Sequence, residues 1–553
     1  MSSTVSQAGS PNAALGEAGS LADHDPQTQA PDPKTVEPPR DSWLALSGIV
    51  LLGGVSGIAY YLGFVRPYLL QDYYRQPLQD LAKISGHTAR SANEWALTWI
   101  VLFACYFLAF HLCPSTANSS RRFRRIGILL VCAFAAFFAI NLIFMYPVGA
   151  ADLFDQIFRA RLTAHYQLNP FTTIPDKIVN DPLKAYVAWS GDPSPYGPAW
   201  ELLAAGASLL AGSDLWKNLI VFKLLVTVAY GVSVALTYGI LRVVRPDWAL
   251  RGTLFFAWNP LLLFEVPGNG HNDAIMVMFV LAAVYFMALA RRALVLPAIM
   301  AAALAKFVPV LLAPAAVAAI LRDRAKGGRT TFDAFSTLAV GTVIAIGLAL
   351  MLYAPFWTGT SSIGALGRQT LFTASLPKVA LDVLTNDLGM DTNDKIKTAE
   401  GLVRNIALAL TAGVAVGWGI SIFLGGNART PEERRALVDR TLVAFYEIIF
   451  FYLAFASLWF QPWYLIWLVA LTAPVARLTN VNRTMLFCLG SVANYFVWDY
   501  IWLWNRTTIR EIQISSALAI YTLPLLYTLY VVVRDRRSGV RDRGETLTVT
   551  ANP

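Results

Sequence analysis

The sequence predicts an all-α integral membrane protein that crosses the bilayer many times. Its 553 residues are 56% hydrophobic and only 14% charged, whereas a soluble domain carries about 25% charged residues. Many of the apolar residues lie in runs of about 20, the length that an α-helix needs to cross the hydrocarbon. A transmembrane β-barrel would instead alternate apolar and polar residues over segments of about 10.

Basic residues predict how these helices are oriented. The net charge of +9 comes from Arg and Lys clusters between apolar runs, which is typical of cytoplasmic loops and not of nucleic-acid binding. We expect five basic segments on the cytoplasmic side: 121–125, 242–251, 322–329, 429–440 and 534–543. Alternation between them predicts about 14 transmembrane segments in the plasma membrane, with both termini in the cytoplasm.

The composition also predicts the domain organisation. Residues 1–42 are rich in Ser, Ala, Gln, Pro and Asp and have no apolar period, so we expect a disordered cytoplasmic tail without a signal peptide. Residues 43–534 form the membrane domain, with long outer-face segments at 146–216 and 356–400. Residues 535–553 form a second cytoplasmic tail.

The sequence implies neither a metal nor a cofactor. The four cysteines all lie in or at the ends of apolar runs, without the spacing of a CxxC motif, and are typical of small core residues. A divalent metal ion is not implied, although a requirement for one stays open.

Segment 146–171 is central to the prediction of a functional site. Pro147 and Gly149 end an apolar run, and Asp152 and Asp155 follow at a spacing that would place them on one helix face. Because an acid is costly in hydrocarbon, this position indicates a polar cavity at the membrane surface. One interpretation is a general base acting on a hydroxyl; the other is an interfacial helix with solvated or capping acids.

The apolar run after this loop is too short for an ordinary crossing. Residues 197–211 span only about 15 positions and open with Pro198, which favours a short re-entrant helix on the outer face. This interpretation also lets Asp152 lie outside while segment 242–251 lies inside. The motif at Tyr196 and Gly197 is then either a turn or a substrate contact.

Two basic residues are candidates to bind a phosphate. Arg161 follows the acids, where Arg serves either for phosphate contact or for anchoring to lipid headgroups. Lys306 lies in an apolar stretch, where lysine is expensive unless it snorkels or pairs. Because Pro309 follows it, we expect two short spans that meet near the outer face, with Lys306 as counter-ion of a lipid phosphate. The alternative is a snorkelling lysine.

Two further loops carry polar and aromatic side chains. His271, Asn272 and Asp273 come directly before an apolar helix. They could bind a phosphate, a sugar hydroxyl or a metal, although one His and one Asp are too few to indicate a metal, and Asn272 could simply cap the helix. The segment 461–464 joins two spans with Gln461, Trp463 and Tyr464, which are substrate contacts or ordinary interface residues.

Taken in order, these motifs resemble those of the GT-C glycosyltransferases. More narrowly, they are similar to the bacterial polyprenol-phosphate-mannose-dependent α-mannosyltransferases of the mycobacterial lipoglycan type. The resemblance covers roughly residues 146–468 and rests on six motifs in the same order: Asp152-Leu153-Phe154 with Arg161 and Leu168-Asn169-Pro170-Phe171; Tyr196-Gly197-Pro198; Trp258-Asn259-Pro260; Gly270-His271-Asn272-Asp273; Lys306-Phe307-Val308-Pro309; and Trp459-Phe460-Gln461-Pro462-Trp463-Tyr464.

This resemblance implies a GT-C-like helical bundle with an outer-face cavity. It also implies an inverting transfer of a hexose, most simply mannose, from a polyprenyl-phosphate donor to an envelope glycan or glycolipid, with Asp152 as general base. The family often has a second acid where this chain has Arg159, and Asp155 is the candidate to replace it. The candidate donor-phosphate ligands are Lys306, Arg161 and His271, and the candidate substrate contacts are Tyr196, Asn272, Asp273, Gln461, Trp463 and Tyr464.

Two other function classes stay open at this point. A transporter or flippase of a lipid-linked sugar would show inverted repeats and broken helices that face the bilayer midplane. The sequence has one broken segment and no convincing repeat. A non-catalytic scaffold would not account for an acid, a lysine and the 271–273 triplet converging on one face.

Overall fold

The computed structural model describes residues 41–324, 330–360 and 371–537. The two predicted tails lie almost entirely outside these ranges, as do parts of the basic segments 322–329 and 534–543 and of loop 356–400. Within the described ranges the chain is α-helical, with isolated β-bridges and no strand. The all-α class expected from the sequence is therefore confirmed.

The first part of the chain contains four membrane-length helices, together with shorter helices around and after the 146–216 loop. They are α1 (Trp43–Tyr60), α2 (Leu70–Tyr73), α3 (Leu81–Ser85), α4 (Ala89–Leu112), α5 (Arg121–Ile143), α6 (Asp152–Ala164), α7 (Pro198–Ala211), α8 (Leu215–Val244), α9 (Ala249–Ala257), α10 (Pro260–Leu263), α11 (Asp273–Ala288), α12 (Val295–Ala305) and α13 (Ala313–Arg322).

The remaining helices include four further membrane-length segments, some of them continued by short helical turns. They are α14 (Thr331–Tyr353), α15 (Leu376–Asp382), α16 (Asn393–Leu424), α17 (Pro431–Phe451), α18 (Leu465–Val475), α19 (Leu478–Phe496), α20 (Trp502–Asn505) and α21 (Ile509–Arg537).

Eight helices in the described part are long and apolar enough to cross a membrane. Five shorter apolar helices of 10–17 residues lie between them in sequence: Pro198–Ala211, Asp273–Ala288, Arg292–Ala305, Val308–Arg322 and Pro462–Val475. The expected count of about 14 crossings is therefore not confirmed. The sequence shows where an apolar run lies, but it does not show whether the helix in that run is long enough to cross the membrane.

The short helix predicted at residues 197–211 is present as α7. It packs along α6, and its first turn lies against the end of α12, where the Gly197 N–H donates to the Ala305 carbonyl over 3.1 Å. A Cβ at Gly197 would lie 2.0 Å from the Leu304 carbonyl oxygen, so this approach requires glycine. The turn thus fixes Tyr196 beside the end of α12.

The predicted break at Lys306 is also present. Helix α12 ends at Ala305, Lys306 is extended (φ −154°, ψ 128°), and a 3-10 turn leads from Val308 into α13. The break ends the regular backbone hydrogen bonding beside a lysine, so the side chain is free to leave the helix surface and enter the interior of the bundle.

Two of the basic clusters meet at one end of the bundle. Lys223 in the first half of α8 donates to the carbonyl of Ile143, at the end of α5, over 3.1 Å. These helices are therefore antiparallel, and the first turn of α5 lies near Arg242, in the last turn of α8. The contact agrees with the expectation that segments 121–125 and 242–251 lie on the same side of the membrane.

Candidate active site

Lys306 finds its counter-ion in Asp273, the first residue of α11. Nζ lies 2.7 Å from Asp273 Oδ1, and the lysine and aspartate side chains are 20% and 1% exposed. The same Oδ1 accepts the Trp467 indole N–H over 2.6 Å. The lysine therefore points toward a buried carboxylate in the bundle, and its role as a phosphate ligand stays a prediction.

Two aromatic rings of the 461–467 region cover the lysine. Nζ lies 4.6 Å from the ring centroid of Tyr464 and 5.2 Å from that of Trp467, within the range of cation–π attraction. The two rings stack on each other with centroids 4.6 Å apart. Tyr464 was a candidate substrate contact, whereas Trp467 reads in the sequence as one more apolar residue of a short helix and was missed.

His271 lies between an aromatic ring and a buried carboxylate. Its imidazole stacks on Trp463, with centroids 4.1 Å apart and an interplanar angle of 16°. Its Nε2 lies 3.3 Å from Glu265 Oε2, and both side chains are almost fully buried. The structure thus brings together His271, a candidate phosphate ligand, and Trp463, a candidate substrate contact.

Glu265 organises the loop that leads into α6. Its oxygens accept the Asn269 amide over 2.9 Å and the Tyr495 hydroxyl over 2.6 Å, and Asn269 Oδ1 accepts the Gly149 N–H over 3.1 Å. A Cβ at Gly149 would lie 2.6 Å from the Asn269 amide nitrogen. Sequence reasoning missed this network, although a glutamate within an apolar segment is a signal that could have found Glu265.

Asp152 is the first residue of α6 and is only half-buried. Burial raises the pKa of its carboxyl; nearby His271 and Lys306 oppose this, and Asp273 adds to it. Asp152 therefore lies within electrostatic range of Lys306 and of the side chains around it. Within the described ranges no group donates a hydrogen bond to its carboxylate, which leaves both oxygens available to a substrate hydroxyl.

Asp155 has a different environment one turn further on. It is 3% exposed, its Oδ1 accepts the Trp189 N–H over 3.0 Å, and burial raises the pKa of its carboxyl to about 6. Arg159 donates to the carbonyls of Trp189 and Asp192 over 2.9 and 2.6 Å. Asp155 and Arg159 thus brace the segment around residue 189, and this geometry favours a positioning role for Asp155.

Arg161 is held by protein groups. Its Nε and one terminal nitrogen each lie 2.8 Å from Asp181 Oδ2, and the other terminal nitrogen donates to the Gly212 carbonyl over 3.0 Å. Both charged side chains are almost fully buried. These contacts tie the loop at residue 181 to the turn before α8, and the role of Arg161 as a phosphate ligand stays a prediction.

The remaining candidate substrate contacts are Tyr196, Gln461 and Asn272. The Tyr196 hydroxyl accepts the Gln156 amide over 3.3 Å, and Gln461 precedes the 3-10 turn Pro462–Tyr464. Asn272 takes the N-cap position of α11 without a capping hydrogen bond from its side chain, so the cap interpretation is not observed. Its buried amide remains a candidate ligand.

In the described ranges no group of three or more His, Cys, Asp and Glu side chains is arranged to hold a metal ion.

Comparison with known proteins agrees with the resemblance drawn from the motifs. Residues 50–322 match the family model described as alpha-(1->6)-mannopyranosyltransferase, N-terminal domain. The match includes Asp152, His271, Asp273 and Lys306, whereas segment 461–464 lies beyond it. With the membrane-length helices, the matched domain supports a membrane glycosyltransferase.

Other comparisons add less. No curated protein matches the chain. Among solved structures, the chain is similar to the archaeal oligosaccharyltransferase AglB from Archaeoglobus fulgidus, solved in complex with an inhibitory peptide and a dolichol-phosphate. The TM-score is 0.36 at 14% identity, and the similarity covers 75% of this chain and 56% of that chain.

Proposed function

We propose that this protein, whose residues 50–322 match the family model of the alpha-(1->6)-mannopyranosyltransferase N-terminal domain, transfers a hexose from a polyprenyl-phosphate donor. Mannose is the sugar that the matched family indicates. The acceptor is an envelope glycan or glycolipid, and the reaction takes place on the outer face of the plasma membrane, with both chain termini in the cytoplasm.

The arrangement of Asp152 and Lys306 carries the proposal. A carboxylate without a hydrogen-bond donor in the described part of the chain lies within electrostatic range of a lysine held at a helix break. The first group can accept a proton and the second can bind an anion. Transfer from a sugar phosphate requires both, because a hydroxyl must become a nucleophile while a phosphate departs.

Asp152 acts as the general base in this reaction. It removes the proton of an acceptor hydroxyl as the hydroxyl oxygen attacks the anomeric carbon. The bond between the anomeric carbon and the phosphate oxygen breaks, and polyprenyl phosphate leaves with the electron pair. Because attack and departure occur on opposite sides, the anomeric configuration inverts. The raised pKa of Asp152 suits this role, since a base works best with a pKa close to the working pH.

Lys306 binds the donor phosphate while Asp273 holds the lysine in position. An ammonium group has three N–H donors, of which one is directed at Asp273 Oδ1. The others are available to a phosphate that lies beside the break between α12 and α13. Asp273 is thus a positioning residue, and His271, held by Glu265 and Trp463, is the second candidate on the phosphate side.

A transfer assay with the purified chain in lipid nanodiscs tests the proposal. The donors are polyprenyl-phosphate mannose, polyprenyl-phosphate glucose and a nucleotide-activated mannose, with an envelope glycolipid fraction as acceptor. The proposal predicts a mannosylated product from the first donor. Use of the nucleotide sugar alone would contradict it, as would movement of the lipid-linked sugar across the bilayer without transfer, which is the outcome expected of a flippase.

A further inference from the structure

A cavity of about 520 Å³ lies between the first turn of α5 and the last turn of α8. Four arginines line it: Arg121, Arg124 and Arg125 from α5 and Arg242 from α8. Its position is the opposite end of α5 from the Asp152 loop. A helix of 23 residues separates the two by about 33 Å, so this cavity is distinct from the candidate active site.

The four arginines have no acidic partner in the described part of the chain. The nearby acids serve other groups: Asp41 accepts the N–H and the hydroxyl of Ser120 over 2.9 and 2.6 Å, and Asp247 lies 3.8 Å from Arg245. The first turn of α5 also contains no acid. Four positive charges thus converge on one cavity, and no acidic side chain of the described residues pairs with them.

Part of the lining of the cavity is apolar. Ile128 of α5 and Leu250 of α9 line it beneath the arginines, with Tyr238 of α8 beside them. On the neighbouring surface of α5, Leu129 is 66% exposed, as expected of a lipid-facing residue. The cavity therefore combines four arginines with apolar side chains, and it lies along a membrane-length helix.

We propose that this cavity binds the phosphate headgroup of a membrane lipid, with the acyl or prenyl chain extending along α5. Guanidinium groups pair with phosphate oxygens through two parallel hydrogen bonds. Basic clusters at helix ends lie where the headgroups of a bilayer begin. A free anion would satisfy the arginines alone, whereas an amphiphilic lipid satisfies both the arginines and the apolar part of the lining.

Arg122 provides a matched comparison for this site. It belongs to the same basic run and is exposed, but it does not line the cavity. A basic cluster that served only to orient the protein in the membrane would use all of these arginines alike. A built site instead depends on Arg121, Arg124, Arg125 and Arg242 and not on Arg122.

Binding is measured by native mass spectrometry on the full chain, with phosphatidylglycerol, polyprenyl phosphate, phosphatidylcholine and inorganic phosphate as separate probes. We expect retention of phosphatidylglycerol, polyprenyl phosphate or both, and weak retention of the other two. In the triple variant Arg121→Gln, Arg124→Gln, Arg242→Gln, affinity for the retained lipid falls by about tenfold or more. The control triple Arg122→Gln, Arg429→Gln, Arg435→Gln removes equal charge and keeps affinity within about twofold.

The separate measurements with phosphatidylglycerol and polyprenyl phosphate show which lipid supplies the phosphate. The proposal is overturned if inorganic phosphate binds as tightly as the lipids, which would indicate a free-anion site, or if the control triple loses affinity as the cavity triple does, which would indicate general surface charge. Because all substituted arginines are exposed, we expect both triple variants to fold. Circular dichroism is the measurement that checks this. The binding measurement does not depend on transfer activity.

Discussion

Lys306 on the break after α12 and Asp273 at the start of α11 form an ion pair of 2.7 Å, although 33 positions separate them in the chain. The pair places a cation and a carboxylate where two short helices meet, and Asp152 lies within electrostatic range of both. Lys306 has two roles in this account: it neutralises the buried Asp273 carboxylate and it binds the donor phosphate. The first two predictions separate these roles.

Lys306→Met is expected to weaken donor binding and to slow transfer, because the donor phosphate is charged both before and after the reaction. Lys306→Arg should rescue only partly, since a planar fork does not replace a point charge. The measurements are the donor Kd and the rate of transfer in nanodiscs.

The double variant Lys306→Met, Asp273→Asn separates the two roles of the lysine. The single variant leaves Asp273 buried without its partner, which costs about 3–5 kcal/mol, and the double variant removes that charge. We expect thermal stability to recover in the double variant while donor affinity stays low. Recovery of donor affinity would show that the lysine only neutralises Asp273.

Gly197→Ala is expected to abolish transfer or to destabilise the protein, because the added Cβ would lie 2.0 Å from the Leu304 carbonyl. Either α7 must move away from the break or Tyr196 must leave the site. Gly206→Ala in the same helix is the control, since a Cβ there meets nothing within 4 Å. Equal transfer and equal Tm in the two variants would refute the tight contact.

Asp155→Asn is expected to retain transfer and to change the pH dependence of stability. The folded protein raises the pKa of Asp155 to about 6, above the ordinary value of about 3.9, so the folded state binds this proton more tightly than the unfolded state. Stability from this group is therefore highest at low pH and falls as the pH rises from about 4 to about 6, by about 3 kcal/mol.

The comparison is the Tm at about pH 4.5 and about pH 7.5 in the wild type and in Asp155→Asn. The variant should lose this part of the pH dependence. It should also keep the hydrogen bond from Trp189, because asparagine retains an acceptor oxygen. Loss of transfer equal to that of Asp152→Asn would instead make Asp155 a catalytic residue.

Single cysteines are expected to show that the site and the basic clusters lie on opposite sides of the membrane. Val179 is 77% exposed in the loop before α7, and Ala117 is exposed in the loop before α5. In a background without the four native cysteines, an impermeant reagent should label Val179→Cys in intact cells and label Ala117→Cys only after lysis. The reverse pattern would overturn the topology.

The sequence predicted that the buried basic residues need anionic partners, but it did not predict which residues those partners are. A lysine in an apolar stretch must find an anion, but no acid lies within one helical turn of Lys306, so Asp273 emerged only from the packing of α11 against α12. Arg161 was proposed as a phosphate ligand because its residue type suits either role, and its ion pair with Asp181 depends on how the loop folds.

The number of crossings and the contacts of Glu265 also depend on how the helices pack. The apolar runs predicted the membrane-length helices, but they could not show which short helices end within the bundle. The glutamate itself is conspicuous within an apolar segment, but its partner Tyr495 is 230 residues away, and local spacing cannot reveal that pairing.

The most direct test of the account is the transfer rate of Asp152→Asn with polyprenyl-phosphate mannose as donor. Asparagine keeps the size of the side chain and removes its basicity, so we expect transfer to fall by about 10²–10⁴-fold while donor Kd and Tm stay close to those of the wild type. Transfer at the wild-type rate would contradict the central claim that Asp152 is the general base.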